Sequence, residues 1–405
     1  MIGLTADQKF LLYLLEYAVQ GKQLQALPDW ADPDWKAVVR ESCAQTVTLP
    51  MFDVISPLQA EIPEEIYKKC FELARRFTAG NMRIEHAQTG LIQVLGEDPY
   101  VILKGQSAAA YYPVPELRQL GDVDFLVPTE RTGEIAEKMK ALGYTHSWEP
   151  GDYHQVLEKT GVCLEMHMSI AGMPEGDARP AVEEYLSTIY KESIPVEGMF
   201  GSFRAPCPAH HAIVLILHMQ HHVVAWGMGL RHIMDWACFV NRTAEEPFWQ
   251  ERLLPLLKRI GLFRFTAVMT KMASVYFGSC CPSWAENAPE DVCRGLMEDL
   301  LASGNFGNKD ADRVRSIDML PDWEKKEKET GKLRLLYGTL KASVIRQNPS
   351  LEQKPVRRFF SMTGKTCRYL ALYCCGKRPN LLKAASHADQ RRSVYEELHM
   401  YEPEG

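Results

Sequence analysis

Two aspartates one residue apart, Asp122 and Asp124, carry the first suggestion of chemistry in this chain. They flank Val123 and run into Phe125, Leu126 and Val127. In a strand, residues two apart project to the same face, about 6–7 Å from each other at the backbone. Aspartate is a poor strand former, and two carboxylates in a buried strand carry a large desolvation cost. A divalent cation offsets that cost. Mg²⁺ takes one or two protein carboxylates and fills its other positions with water and phosphate oxygens. The plainer alternative is a turn aspartate after Gly121, leading into an edge strand with Asp124 exposed.

Upstream, Val101-Ile102-Leu103 reads as a buried strand running into Lys104-Gly105-Gln106-Ser107, then the helix-prone stretch Ala108 to Tyr112. A strand, a small-residue turn and a helix N-terminus present backbone N–H groups and a positive dipole end, which suits phosphate. Lys104 and Arg118 add cationic contacts. Downstream, Thr129 is the expected cap of a helix through Leu142, stopped by Gly143. Strand patterns follow at 144–148, 153–159 and 162–170, the last two joined by a Thr160-Gly161 turn. In the third, Cys163, Glu165 and His167 alternate with Leu164, Met166 and Met168, so Glu165 and His167 share a face. That face is either solvated or functional.

Leu103-Lys104-Gly105, Tyr112-Pro113 and the run Arg118 to Val127, containing Gly121-Asp122-Val123-Asp124, resemble a bacterial branch of uncharacterised nucleotidyltransferases. That branch lies in the superfamily with the polymerase-beta-like fold. The superfamily signature has Gly-Gly or Gly-Ser a dozen or fewer residues before the first aspartate. Here Ser107 stands fifteen residues before Asp122. The resemblance implies an α+β protein, a small mixed sheet with flanking helices embedded in a mostly helical chain. It implies Asp122, Asp124 and Glu165 as catalytic metal ligands for Mg²⁺ or Mn²⁺, with His167 beside them. Lys104, Gly105, Ser107 and Arg118 are the implied nucleotide-binding residues. The implied reaction moves a nucleoside monophosphate from an NTP, with ATP the expected donor, to an acceptor hydroxyl. Two other readings of the same scaffold are a nucleotide hydrolase and a nucleotide-binding regulatory protein without turnover.

The elements around this stretch are mainly helical. Helix signals run from Thr5 to about Gly21, Asp32 to about Thr46, and Pro63 to about Leu95, with Pro63 suited to the first turn and Glu64 and Glu65 to the positive end. Residues 1–97 are therefore expected to form a helical cap and 98–205 the catalytic domain. From Pro206 the chain returns to helix. His218 and His222 are four apart and share a helical face, which suits a metal pair or, more plainly, packing. In the resembled branch this run and the Arg231–Asp235 segment form a helical wall on the substrate side, over 206–340. Arg231 and Asp235 suit an intrahelical pair; the sharper reading has Arg231 on a phosphate.

Composition narrows the setting. The chain has 405 residues, 46% of them apolar and 24% charged, so it can build a substantial core. A net charge of −6 gives no overall nucleic-acid footprint. Within 341–405, however, the stretch from Lys341 to Arg392 carries twelve Lys and Arg against two acidic residues. With its aromatics, this basic helical tail suits a nucleic acid, an anionic surface or the acidic body of the protein. Eleven cysteines without Cys-x-x-Cys spacing, and an N-terminus that reads as an amphipathic helix, lead to the expectation of a reduced, cytoplasmic protein without a transmembrane segment.

Overall fold

Helix α1 (Ala6–Val19) starts at a capping box, in which the Thr5 hydroxyl accepts from the Gln8 N–H and the Gln8 side chain accepts from the Thr5 N–H. The computed structural model describes residues 3–149, 152–174, 176–224, 227–309, 340–341, 344, 354–374 and 396–400. Helix α2 (Trp35–Ala44) is capped by the Asp34 carboxylate, two residues later than the sequence pattern puts its start. Helix α3 (Thr48–Ile55) has no counterpart among the sequence expectations. Thr46 takes a positive φ of 57°, which ends α2 and lets the chain restart. Helix α4 (Glu64–Leu95) is 32 residues long, and Pro63 sits at its N-cap, one place ahead of the expected first turn.

The sheet comes from β1 (Val101–Ile102), β2 (Val123–Leu126), β3 (Thr145–Ser147), β4 (His154–Lys159) and β5 (Val162–His167). Their order is β1-β2-β5-β4-β3, with β2 and β5 parallel and the other neighbours antiparallel. The short helix α5 (Gln106–Ala109) follows β1. The expected helix from Thr129 divides into a 3₁₀ turn (Thr129–Arg131) and α6 (Thr132–Ala141), neither with a side-chain cap. Beyond β5 lie α7 (Ala178–Leu186) and a hairpin of β6 (Ile194–Gly198) and β7 (Gly201–Ala205). The α+β architecture read from the sequence is present, and all three strands of the 144–170 region form, each shorter than its pattern.

Two apolar cores hold these layers. Behind the sheet, Val123, Phe125, Leu164 and Met166 pack on Leu91 and Leu95 of α4 and Ile135 and Met139 of α6. The larger core joins α1, α2 and α3 to the C-terminal helices α8 (Pro208–Val224), α9 (Leu230–Thr243), α10 (Leu254–Ile260), α11 (Phe263–Phe277) and α12 (Glu290–Ser303). Helix α8 is buried along nearly its whole length, its histidines as well as its apolar residues. Among the described residues no helix is long and apolar enough to cross a membrane. A helix spans Pro355–Cys374 and exposes Phe359 and Phe360. Most of the remaining basic tail, and the helical stretch expected across 310–339, lie outside the described residues.

Gly172 lets the chain leaving β5 pass under α8. Its φ is +76°, and a Cβ there would come within 2.4 Å of the Leu217 carbonyl oxygen. Gly172→Ala is expected to destabilise the protein by at least about 1 kcal/mol, since backbone strain and a backbone clash act together. An unchanged urea midpoint would show that α8 does not depend on this approach.

Candidate active site

The parallel pairing of β2 and β5 sets Asp124 beside Glu165 and Leu126 beside His167. Because Val123, Phe125, Leu164 and Met166 face the apolar core, Asp124, Glu165 and His167 share the other face. Asp124 is fully buried, while Glu165 and Asp122 are partly open, so the cluster has a closed floor and an accessible mouth. Asp124, Glu165 and His167 each offer one ligand atom within 4.8 Å of the others.

Two cations hold the carboxylates. Lys104 Nζ lies 3.0 Å from Asp124 Oδ1, and His167 Nε2 lies 2.9 Å from the same oxygen and 3.6 Å from Glu165 Oε2. The other ring nitrogen of His167 faces the Ser169 carbonyl oxygen at 3.3 Å. Both nitrogens therefore meet acceptors only, which is the environment of an imidazolium. Burial pulls the His167 pKa down, but the hydrogen bonds to Asp124 and Glu165 raise it above the usual value. Burial pushes Asp124 up, yet the Lys104 charge and the His167 hydrogen bond bring it below the ordinary range. Asp122 goes the other way. Burial, then the Asp124 charge, raises its affinity for a proton. On the same face the Cys163 thiol is pushed up to about 12, first by burial and then by Glu165 and Asp122. Three carboxylates thus face two cations on this side of the sheet.

One atom tests whether a divalent cation suits this donor set. Asp124 Oδ2 is buried and has no hydrogen-bond partner. A buried carboxylate oxygen without a donor is costly, and a hard cation on oxygen ligands satisfies it. The residues fit the group.

The segment leading to Asp122 is clamped from three helices. Asn81 of α4 donates to the carbonyls of Glu116 and Arg118 and accepts from the Leu120 N–H at 2.8 Å. Gln119 accepts from the N–H groups of Thr48 and Leu49 in α3. Arg118 reaches Asp235 of α9 through two bonds, of 2.8 and 2.7 Å, and the Tyr112 hydroxyl donates to the same carboxylate at 2.7 Å. Asn81→Ala is expected to cost about 1–3 kcal/mol, because it strands buried backbone groups. Urea unfolding reads the loss, and wild-type stability would mean the clamp is slack.

These partners redefine several residues singled out by the sequence. Arg118 is paired with Asp235, and Ser107 donates to the Ile102 carbonyl, so both have structural partners within the protein. Asp235 takes Arg118 rather than the expected Arg231, which instead donates to the Gln119 carbonyl at 3.1 Å. Helix α5 has four residues, too few for a substantial dipole. Gly105, at φ +69°, brings the turn against Asp122, whose carbonyl oxygen lies 3.6 Å from where a Cβ would be. Lys104 points into the carboxylates and also approaches His218 Nε2 at 3.5 Å. His218, His222 and His232 can place ligand atoms within 4.8 Å of one another. Burial, then the Lys104 charge, keeps His218 neutral, and that charge opposes a second cation there. The trio lines the wall beside Lys104. His232, Asn81, Gln119 and Tyr112 carry no local pattern that announces these contacts.

Beside the Gly105 turn lies a cavity of about 220 Å³, lined by Gln106, Leu120, Glu85, Glu116, Met199 and Phe203 among others. Lys104, Asp122, Asp124 and Glu165 do not line it, so this cavity is separate from the carboxylate cluster.

Carboxylates gathered on neighbouring strands of a small mixed sheet, with a lysine held among them, are the equipment of an enzyme that transfers phosphate esters. The model of a family described as uncharacterised nucleotidyltransferases matches residues 31–278, more than half of the chain, and the chain belongs to that family. No curated protein and no solved structure matches it.

Proposed function

We propose that this nucleotidyltransferase moves a nucleoside monophosphate from an NTP, ATP first among them, to an acceptor hydroxyl and releases pyrophosphate. The sheet order and the carboxylate face support a polymerase-beta-like catalytic unit. Asp122, Asp124 and Glu165 would hold Mg²⁺ or Mn²⁺. When bound, such an ion neutralises phosphate charge and lowers the pKa of a coordinated hydroxyl. The observation that carries the reading is the buried, partnerless Oδ2 of Asp124 facing the same side as Glu165.

The chain's own groups then divide the work. Lys104 and the protonated His167 keep Asp124 ionised in a dry floor. Asp122 and Glu165, the partly open carboxylates, would meet the ion and its substrate at the mouth. Lys104 is the cation nearest an incoming phosphate, while Ser107 and Arg118 fix the frame around it. The neutral histidines of α8 and α9 add no competing charge to the site.

Incubation with each α-labelled NTP, Mg²⁺ or Mn²⁺ and cell extract tests this. Label transferred to an acceptor supports the proposal. Free NMP or NDP alone indicates a hydrolase, and saturable nucleotide binding without product indicates a binding protein without turnover.

A further inference from the structure

We propose that Glu192, Cys207 and His210 form a separate cation site, suited to Zn²⁺, that closes the base of the β6–β7 hairpin. Glu192 precedes β6, and Cys207 follows β7 immediately before α8, so the two ligands bracket the hairpin. His210 sits in the first turn of α8. One donor atom from each of the three lies within 4.8 Å of the others.

The sulfur–nitrogen spacing matches a tetrahedral ion, while Glu192 lies 4.0 Å from the other ring nitrogen of His210, Nε2. Cys207 Sγ is 3.6 Å from His210 Nδ1 and 3.8 Å from a Glu192 carboxylate oxygen. Around Zn²⁺, bonds of about 2.3 Å to sulfur and about 2.05 Å to nitrogen place those atoms roughly 3.6 Å apart. The imidazole is also oriented as a ligand. His210 Nε2 lies 3.0 Å from the Tyr185 carbonyl, which only accepts, so Nε2 carries the proton and Nδ1 turns its lone pair to Cys207. A ring nitrogen anchored to a backbone carbonyl is the usual outer support of a metal-bound histidine. Glu192 is anchored too. It accepts from the Thr188 hydroxyl at 2.6 Å and pairs with Arg252 at 3.1 Å. Arg252 would remain the outer partner of the carboxylate.

Thiolate, imidazole and carboxylate together favour zinc over Mg²⁺, and three ligands leave one position for water. Cys207 and Glu192 are partly exposed, which gives the ion a path in. Binding exchanges the Cys207 thiol proton, released to solvent, for a sulfur–metal bond, with no change of oxidation state. The hairpin so closed carries Val196, Met199 and Phe203, which wall the cavity beside the Gly105 turn. The site is thus a staple for that wall, and it holds whether or not the chain transfers nucleotides.

Metal-free full-length protein titrated with Co²⁺ tests the idea. One equivalent is expected to produce thiolate-to-cobalt charge-transfer absorption, which Zn²⁺ abolishes. Cys207→Ser should remove the band, whereas Cys163→Ser and Asp124→Asn should keep it. In the wild-type chain, Zn²⁺ should slow alkylation of Cys207 at least tenfold, read by peptide mass spectrometry. A band that survives in Cys207→Ser, no band in the wild type, or unprotected Cys207 in zinc would each overturn the assignment.

Discussion

Asp124→Asn is expected to reduce nucleotidyl transfer by at least about 10²–10³-fold, the scale on which losing one group that stabilises developing charge slows an enzyme. The substitution keeps the shape of the side chain and removes the charge at the floor of the site. Lys104 retains Asp122 and Glu165 nearby, and both contribute to its raised pKa. His167 loses the strongest of the hydrogen bonds that favour its charged form, so burial then returns it toward the neutral imidazole. The cluster can therefore relax without leaving an isolated ion, and the melting curve should stay close to that of the wild type. Undiminished transfer by a folded Asp124→Asn protein would remove the carboxylate cluster from the mechanism.

Asp235→Asn has the opposite profile, a loss of about 3–5 kcal/mol of stability, typical of breaking one side of a buried ion pair. Arg118 and Asp235 are both almost fully buried and joined by two bonds. Arg231 lies close enough for the Arg118 charge to lower its pKa, after burial itself. Without Asp235, two guanidiniums share a dry pocket with too little negative charge. Replacing both partners, Arg118→Met with Asp235→Leu, should recover most of the loss, since the penalty comes from the stranded charge. Urea unfolding of the single and double variants checks this. Equal destabilisation in both would mean that packing, not charge, sets the value. Because the pair holds the segment before Asp122, the single variant should also transfer poorly.

The reach of the sequence follows the range of the interactions. Alternation in Val123-Asp124-Phe125 and in Cys163 to His167 reports a local geometry that β2 and β5 carry, with Asp122 standing just before β2. The helix start at Thr5 and the acidic first turn of α4 are also local and also present. Partners far apart leave no such trace. Arg118 and Asp235 are 117 residues apart, and nothing in either neighbourhood selects the pair over the four-residue spacing of Arg231 and Asp235. Ser107 looks like a phosphate ligand because its context is a turn, yet the nearest acceptor is a carbonyl of the preceding strand. The hairpin of β6 and β7 is mostly exposed, so it lacks the clean burial alternation that marks β5. The N-terminal helices gave no motif, but the family match begins at residue 31 and runs through α11, so α2–α4 belong to the same unit of descent as the aspartates.

The most direct test of the central claim is Mn²⁺ binding, followed by electron paramagnetic resonance in the presence of a non-hydrolysable ATP analogue. The wild-type protein should take up Mn²⁺ together with the nucleotide, and Asp124→Asn should lose that uptake while Cys207→Ser keeps it. Identical uptake by wild type and Asp124→Asn, or none by either, would contradict a metal–nucleotide site built on Asp122, Asp124 and Glu165.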